Sequence, residues 1–204
     1  MYSSIEASIL AGGKSSRMGE DKSLMEVNSV PIIQLVYEKL KLSFEKVTII
    51  TNSPECYGFI PCDKLSDIYK NIGPLAGIHS ALMHSQSEKV FILPCDAPLV
   101  SNEIIHAMVE HSEINGNIYA IGGGFHQHLI GIFSKNLIPA IEKFIMDSQS
   151  VEKDAPKRPC SVGTLLKQNS FKTISFDTAK YQTEFLNLNN RQDFEQLRHL
   201  LMLP

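Results

Sequence analysis

Short apolar runs alternate with longer amphipathic stretches along the chain. Ile5 to Leu10, Val47 to Thr51 and Lys89 to Pro94 are strand-length runs, and each stops at a glycine or polar break. Between the first two, Ile32, Ile33, Leu35, Val36, Leu40 and Leu42 recur at helical spacing, with Pro31 near the helix start. Asn52 to Asn71 is rich in loop-forming residues. Gly73-Pro74-Leu75-Ala76-Gly77-Ile78 then opens a helix to about Ser85, and Pro74 suits the first helical position, where its missing N–H costs nothing. After the third run the pattern predicts a helix over Ser101 to His111. It then predicts strands over Asn117 to Ile121 and His128 to Phe133 around Gly122-Gly123-Gly124, and a helix over Asn136 to Met146.

The C-terminal quarter is less regular. Asp147 to Pro159 is polar and reads as a surface loop. Val162 to Lys167 reads as a short helix and Phe171 to Phe176 as an alternating strand. Phe185 to Asn189 is a short extended segment, and Asp193 to Leu201 is a closing helix. A strand–loop–helix–strand unit is the mark of a parallel sheet, so the fold class is α/β. With no internal repeat, biased tract or linker, residues 1–204 read as one domain.

The first strand carries the densest chemistry. Leu10-Ala11 runs into Gly12-Gly13-Lys14-Ser15-Ser16-Arg17-Met18-Gly19-Glu20-Asp21-Lys22. Glycines let backbone N–H groups approach an anion closely. Arg17 and Lys22 add positive charge, and a guanidinium can take phosphate oxygens bidentately. An ordinary strand-to-helix turn with exposed basic residues is the plain alternative. The segment's place directly after the first strand, where α/β folds bind ligands, favours a phosphate loop. It is not a P-loop, because Ser8 stands where that motif needs glycine. Nor is it a dinucleotide fingerprint, because Lys14 fills a glycine position.

Composition narrows the partners. A formal net charge of −3 opposes general nucleic-acid affinity, so a local basic loop fits a small anionic ligand better. No apolar run reaches membrane-spanning length, and no basic-then-apolar leader is present. Cys56, Cys62, Cys95 and Cys160 form no metal-ligand spacing, and reduced cysteines in a cytoplasmic protein are the simplest reading.

In a parallel sheet the carboxyl ends of the strands share one edge. The glycine loop, Asn52 and Asp96 are therefore expected to converge. Asp96 directly follows a buried strand and is the metal-ligand candidate, since Mg²⁺ takes one or two carboxylates plus waters and phosphate oxygens. A turn-capping role is the alternative. Asp67 could serve a ribose, a base or a metal, or be a solvated loop aspartate. His126-x-His128 and His106…His111 match no zinc-binding helix spacing and read as surface histidines. No Gly-x-Ser-x-Gly elbow is present.

Taken together, the first motif resembles that of the molybdenum cofactor guanylyltransferases. Asp67 through Gly73-Pro74-Leu75-Ala76-Gly77-Ile78, Pro94-Cys95-Asp96-Ala97-Pro98 and Phe185-Leu186-Asn187-Leu188-Asn189 agree in order and spacing. The doubled glycine and the Gly-Pro-Leu-Ala-Gly segment narrow the resemblance to the guanylyl branch. It implies a single Rossmann-like three-layer nucleotidyltransferase domain with a mostly parallel sheet. It implies GMP transfer from GTP to the phosphate of molybdopterin carrying molybdenum, with Mg²⁺, and transient contact with proteins of the same pathway. By resemblance, Leu10, Ala11, Gly12 and Gly13 hold the nucleotide. Arg17 and Lys22 bind its phosphates. Asn52 and Asp67 lie near base and ribose, Asp96 binds Mg²⁺, and Asn187 and Asn189 face the pterin.

The chain departs from that pattern in two places. Asn190-Arg191 follow Asn189 where the family usually has Thr-Pro, and no proline follows His128. Both lie on the acceptor side. The alternatives are cytidylyl transfer, a sugar-phosphate or alditol-phosphate acceptor, or a non-catalytic nucleotide-binding protein in cofactor delivery. Relatives of the first kinds usually replace the second glycine, so Gly13 speaks against them.

Overall fold

Strand β1 (Ile5–Leu10) is the axis of a seven-stranded sheet. It is flanked in parallel by β4 (Val47–Ile50) and β6 (Lys89–Pro94). On one side β5 (Asp63–Leu65) extends the sheet in parallel from β4. On the other, β8 (Phe125–Ser134) pairs antiparallel with both β6 and β7 (Ile118–Gly122), and β9 (Lys172–Ser175) closes the edge parallel to β7. Thus β8 alone runs against the other strands, and the sheet is mostly parallel. The computed structural model describes residues 1–12, 21–149 and 161–202, with backbone only at 114 and 115.

Side-chain alternation along the central strands sorts them into two cores. Ala7, Ile9, Val47, Ile49, Phe91 and Leu93 face α1 (Ile32–Ser43) and α3 (Asn102–Asn115). Ile50, Val90 and Ile92 face the other way, onto α2 (Pro74–His84), α4 (Ile138–Gln149) and α5 (Val162–Gln168). A strand apolar on both faces must be covered on both, which gives the three-layer arrangement. A smaller cluster of Val27, Ile32, Leu188, Phe194 and Leu197 joins a hairpin, β2 (Glu26–Val27) and β3 (Val30–Pro31), to the C-terminal helix α6 (Arg191–Met202).

Several expectations change. Asn52 to Asn71, read as loop, contains a 3-10 turn over Pro54–Tyr57 and the edge strand β5. Asp63 and Lys64 hid that strand, because an edge position tolerates charge where a central one does not. The β2–β3 hairpin was not foreseen either. It turns at Asn28 (φ 53°) and Ser29 (φ 63°), and its strands are too short for a period-two signal. Helix α4 runs to Gln149, so the polar segment beginning at Asp147 is helical at its start. The rest of that segment, 150–159, lies outside the described residues. Among the described residues no helix is long and apolar enough to cross a membrane.

Candidate active site

The strand ends meet as the topology requires. Ala11 N–H donates to the Ile50 carbonyl (2.9 Å), Cys95 N–H to the Leu10 carbonyl (3.1 Å), and Thr51 N–H to the Leu65 carbonyl (2.8 Å). The ladders therefore continue one step past each strand. They place Gly12, Asn52 and Asp96 along one edge. Gly12 is exposed with open space where a Cβ would stand. Gly13 and Arg17 lie outside the described residues.

Asn52 and Asp67 are brought together. Asn52 Nδ2 donates to Asp67 Oδ2 (2.7 Å), and Lys70 Nζ donates to Asn52 Oδ1 (2.7 Å). Gly77, in the first turns of α2, lets this group close on the end of β1. A Cβ there would lie 3.2 Å from Leu10 Cδ2 and 3.8 Å from Asp67 Oδ1. Lys70 was missed from the sequence. Its proximity to Asp67 along the chain was the available signal.

Lys22 opens a short 3-10 turn, Lys22–Leu24, whose start is fixed by Asp21. Asp21 Oδ1 accepts from Ser23 N–H (3.0 Å) and Ser23 Oγ (2.7 Å), while Oδ2 accepts from the buried Tyr57 hydroxyl (3.1 Å). Burial, and to a smaller extent the Asp21 charge, push the Tyr57 phenol well above its ordinary range. It therefore stays a donor to Asp21. Tyr57 is a supporting residue that spacing did not reveal, being 36 positions from its partner.

From that turn Lys22 Nζ donates to the Leu188 carbonyl (2.7 Å), and Leu188 N–H donates to the Asp96 carbonyl (2.9 Å). Both backbone groups of Leu188 are thus tied to the loops that carry Lys22 and Asp96, while its side chain is buried against Val27, Ile32, Phe194 and Leu197. In extended backbone, alternate residues share a side. With Leu188 turned into the core, Asn187 and Asn189 face the cleft together, which accounts for the Asn-x-Asn spacing. Phe185 to Asn189 is not a strand of the sheet; the Leu188 bonds to Asp96 and Lys22 help to anchor it.

Asp96 is partly buried. Burial raises its carboxyl pKa, and Lys22 acts in the opposite direction. Burial, with the charges of Asp96 and Asp21, also raises the pKa of the neighbouring Cys95 thiol, which favours its neutral form. No group of three or more His, Cys, Asp or Glu side chains among the described residues could hold a metal alone. A partly buried carboxylate beside a lysine fits Mg²⁺, which draws most of its ligands from water and substrate phosphate.

Across the cleft, β7 and β8 turn at Gly123 (φ 62°) and Gly124 (φ 77°), left-handed positions that favour glycine. Their pairing then slips: Ala120 opposes Gln127 but Tyr119 opposes Gly131, so His128, Leu129 and Ile130 bulge out of register. This is the place where the expected proline is missing. His128 packs on α5 instead, with its Cε1 3.1 Å from where a Gly163 Cβ would be. The second departure is offset locally. Asn190 Oδ1 accepts from Asp193 N–H (3.0 Å) and Asp193 Oδ2 accepts from Asn190 N–H (3.0 Å), a reciprocal cap on α6. Asp193 Oδ2 also accepts from Asn189 N–H (2.7 Å), so the cap fixes the asparagine segment as well.

Asn187, Asn189, Gln127, Phe125 and Phe185 line a cleft of about 660 Å³ on this side. The sequence model of the MobA-like NTP transferase domain matches residues 7–156. The chain belongs to the MobA-like NTP transferase family. Family relatives extend the match past the asparagine segment. A probable molybdenum cofactor guanylyltransferase of Carboxydothermus hydrogenoformans is 32% identical over 203 residues, covering 98% of both chains. One of Flavobacterium johnsoniae is 34% identical over 184 residues, covering 89% of this chain and 95% of its own. A crystal structure of an Aquifex aeolicus protein superposes with TM-score 0.75 at 28% identity, over 92% of this chain and 94% of its own. Molybdopterin-guanine dinucleotide biosynthesis protein A from Archaeoglobus fulgidus shares the fold, with TM-score 0.78 at 17% identity over 96% and 98% of the chains.

Proposed function

We propose that this chain transfers GMP from GTP to the phosphate of molybdopterin carrying molybdenum, giving molybdopterin guanine dinucleotide and pyrophosphate. The observation that carries the reading is the Leu188 clamp. One residue ties Lys22 and Asp96 on the nucleotide side to Asn187 and Asn189 on the other. The full-length likeness to guanylyltransferases supports the same reading.

In this reading Leu10, Ala11, Gly12 and Gly13 cradle the nucleotide, and Asn52 and Asp67 lie by base and ribose. Arg17 and Lys22 take phosphate oxygens. An ammonium has three donors, so Lys22 holds Leu188 with one and keeps the others for phosphate. A phosphate oxygen of the acceptor attacks the α-phosphorus in line. The bond from that phosphorus to the bridging oxygen breaks, and pyrophosphate leaves with the electron pair. The nucleophile is already an anion, so no general base is needed. Repulsion between the two anions is the main barrier, and the fixed positive charge of Lys22 offsets it. Asp96 would hold Mg²⁺, which when bound neutralises phosphate charge.

Equilibrium binding of GTP, CTP and ATP with Mg²⁺ tests the base. We expect GTP to bind tightest, and a clear CTP preference would replace guanylyl by cytidylyl transfer. Pyrophosphate release with GTP and molybdopterin separates an enzyme from a nucleotide-binding delivery protein. The substrates fit a cytoplasmic protein that passes its product to others of the pathway. Cross-linking in cells that recovers none of them would oppose such contacts.

A further inference from the structure

The two cleft asparagines each have one amide orientation imposed by the protein. The Gly122 carbonyl can only accept. Gln127 Nε2 donates to it (2.9 Å), so Gln127 Oε1 faces the other way and accepts from Asn187 Nδ2 (3.2 Å). That leaves Asn187 Oδ1 for the cleft. Asn189 is fixed by the same logic: its Nδ2 donates to the Asn187 carbonyl (3.3 Å), leaving its own Oδ1. Among the described residues nothing donates to either oxygen.

Gln127 is buried, so turning its amide over would set two carbonyl oxygens against each other away from water. Its anchor is equally firm. Phe185 packs so closely on Gly122 that a Cβ there would lie 2.3 Å from the ring. The hairpin, Gln127 and the asparagine segment therefore form one relay ending in two carbonyl oxygens.

We infer that Gln127 is a positioning residue that fixes the two asparagine carbonyl oxygens as hydrogen-bond acceptors in the cleft, so that the acceptor substrate is selected by N–H donors on its heterocycle. This rests on the cleft being the acceptor site. It assigns the selectivity to a polarity set 60 residues away in sequence, and not to the asparagines alone. A 2-aminopteridine edge, with an amino group beside a ring N–H, offers such donors. A 2-oxo edge replaces the amino donor with an acceptor and meets an oxygen with an oxygen.

Pterin and lumazine differ in that group. Both fluoresce, and the chain has no tryptophan to interfere. We expect fluorescence titration of the full chain to show pterin binding about tenfold or more tighter than lumazine. In Gln127→Met the ratio should fall to about twofold, with GTP affinity near that of the parent chain and the unfolding midpoint lowered by the Gly122 carbonyl left without its donor. A structural role alone would weaken both ligands together. A parent-chain ratio near one, no pterin binding up to millimolar, or an unchanged ratio in Gln127→Met each overturns the inference. The parent-chain ratio stands as a test even if the variant fails to fold. GMP transfer to molybdopterin, assayed in parallel, keeps the two readings apart. Transfer without pterin preference sinks this inference alone; pterin preference without transfer sinks the guanylyltransferase reading alone.

Discussion

The two sides of the cleft are built by different means. On the side proposed to hold the nucleotide, Gly12, Asn52 and Asp96 sit within two residues of the ends of β1, β4 and β6, and backbone ladders carry them to one edge. On the other side, Asn187 and Asn189 lie outside the sheet. They are held by the Gln127 relay, by the Asp193 cap and by the burial of Leu188. A site made from strand ends inherits its geometry from the whole sheet, so neighbouring side chains can change without moving it. A site made from side-chain relays depends on each member. The acceptor side should therefore be the more easily altered of the two, and the departures at His128 and Asn190 fall there.

Asp96→Asn bears hardest on this comparison. The substitution keeps the backbone bond to Leu188 and removes only charge. Turnover should fall by about 10²–10³-fold, with the unfolding midpoint unchanged and acceptor KM little affected. Pyrophosphate release and thermal unfolding check it; near-normal turnover would strip Asp96 of its metal role. Lys22→Met comes next. It loses about 10²-fold in turnover, but it also frees the Leu188 carbonyl, so acceptor KM should rise as well. An effect confined to GTP would mean that the clamp does not join the two sides.

A matched pair of glycine substitutions sharpens the contrast. Gly122→Ala drives a methyl into Phe185, at 2.3 Å from the ring, and should destabilise the fold by about 1–3 kcal/mol. Acceptor KM should rise while GTP affinity holds. Gly77→Ala meets the flexible end of Leu10 at 3.2 Å, so the fold should tolerate it, and GTP affinity should fall a few-fold with acceptor KM unchanged. Steady-state kinetics with each substrate varied in turn reads both. Crossed effects would show that the two sides are one mechanical unit.

The same contrast explains what could be read from the chain beforehand. Strand-end chemistry is local: an apolar run stops, and the functional residue follows at once, as Asp96 follows Pro94 and Cys95. The convergence of Gly12, Asn52 and Asp96 needed only the parallel order of the strands. Asn187 and Asn189 were visible through a resemblance, but their support was not. Gln127 and Tyr57 reach partners 60 and 36 residues away, and no periodicity encodes such a pairing. The three-residue bulge at His128 is equally silent, because a slip in register leaves the apolar alternation of β8 broken without saying where the strand resumes. β5 was hidden by charge on an edge, and the Asn190 cap by its departure from the usual Thr-Pro.

The smallest expected effect concerns the seam between the two sides. Lys39 on α1 is partly buried and donates to the Pro98 carbonyl (2.6 Å), bracing the loop after Asp96. Burial lowers its pKa from 10.5 to about 8, and Glu184, just ahead of the asparagine segment, opposes the shift. Glu184 also accepts from Ser101 N–H (3.0 Å), so it touches the same loop. Below about pH 8 Lys39 is charged in both folded and unfolded chains, and its burial costs stability by a fixed amount. Between about 8 and 10.5 the unfolded chain holds the proton and the folded chain does not, so this contribution to stability rises with pH. Tyrosines and cysteines with raised pKa values act oppositely in that range, but they are common to both chains and cancel in a difference. Lys39→Met should therefore show a parent-minus-variant unfolding free energy that climbs by on the order of 1–2 kcal/mol from pH 8 to 10, read from urea midpoints. A flat difference would mean that the lysine keeps its proton, held by Glu184. In that case the seam is an ion pair joining the two sides, and they are more tightly coupled than their separate construction implies.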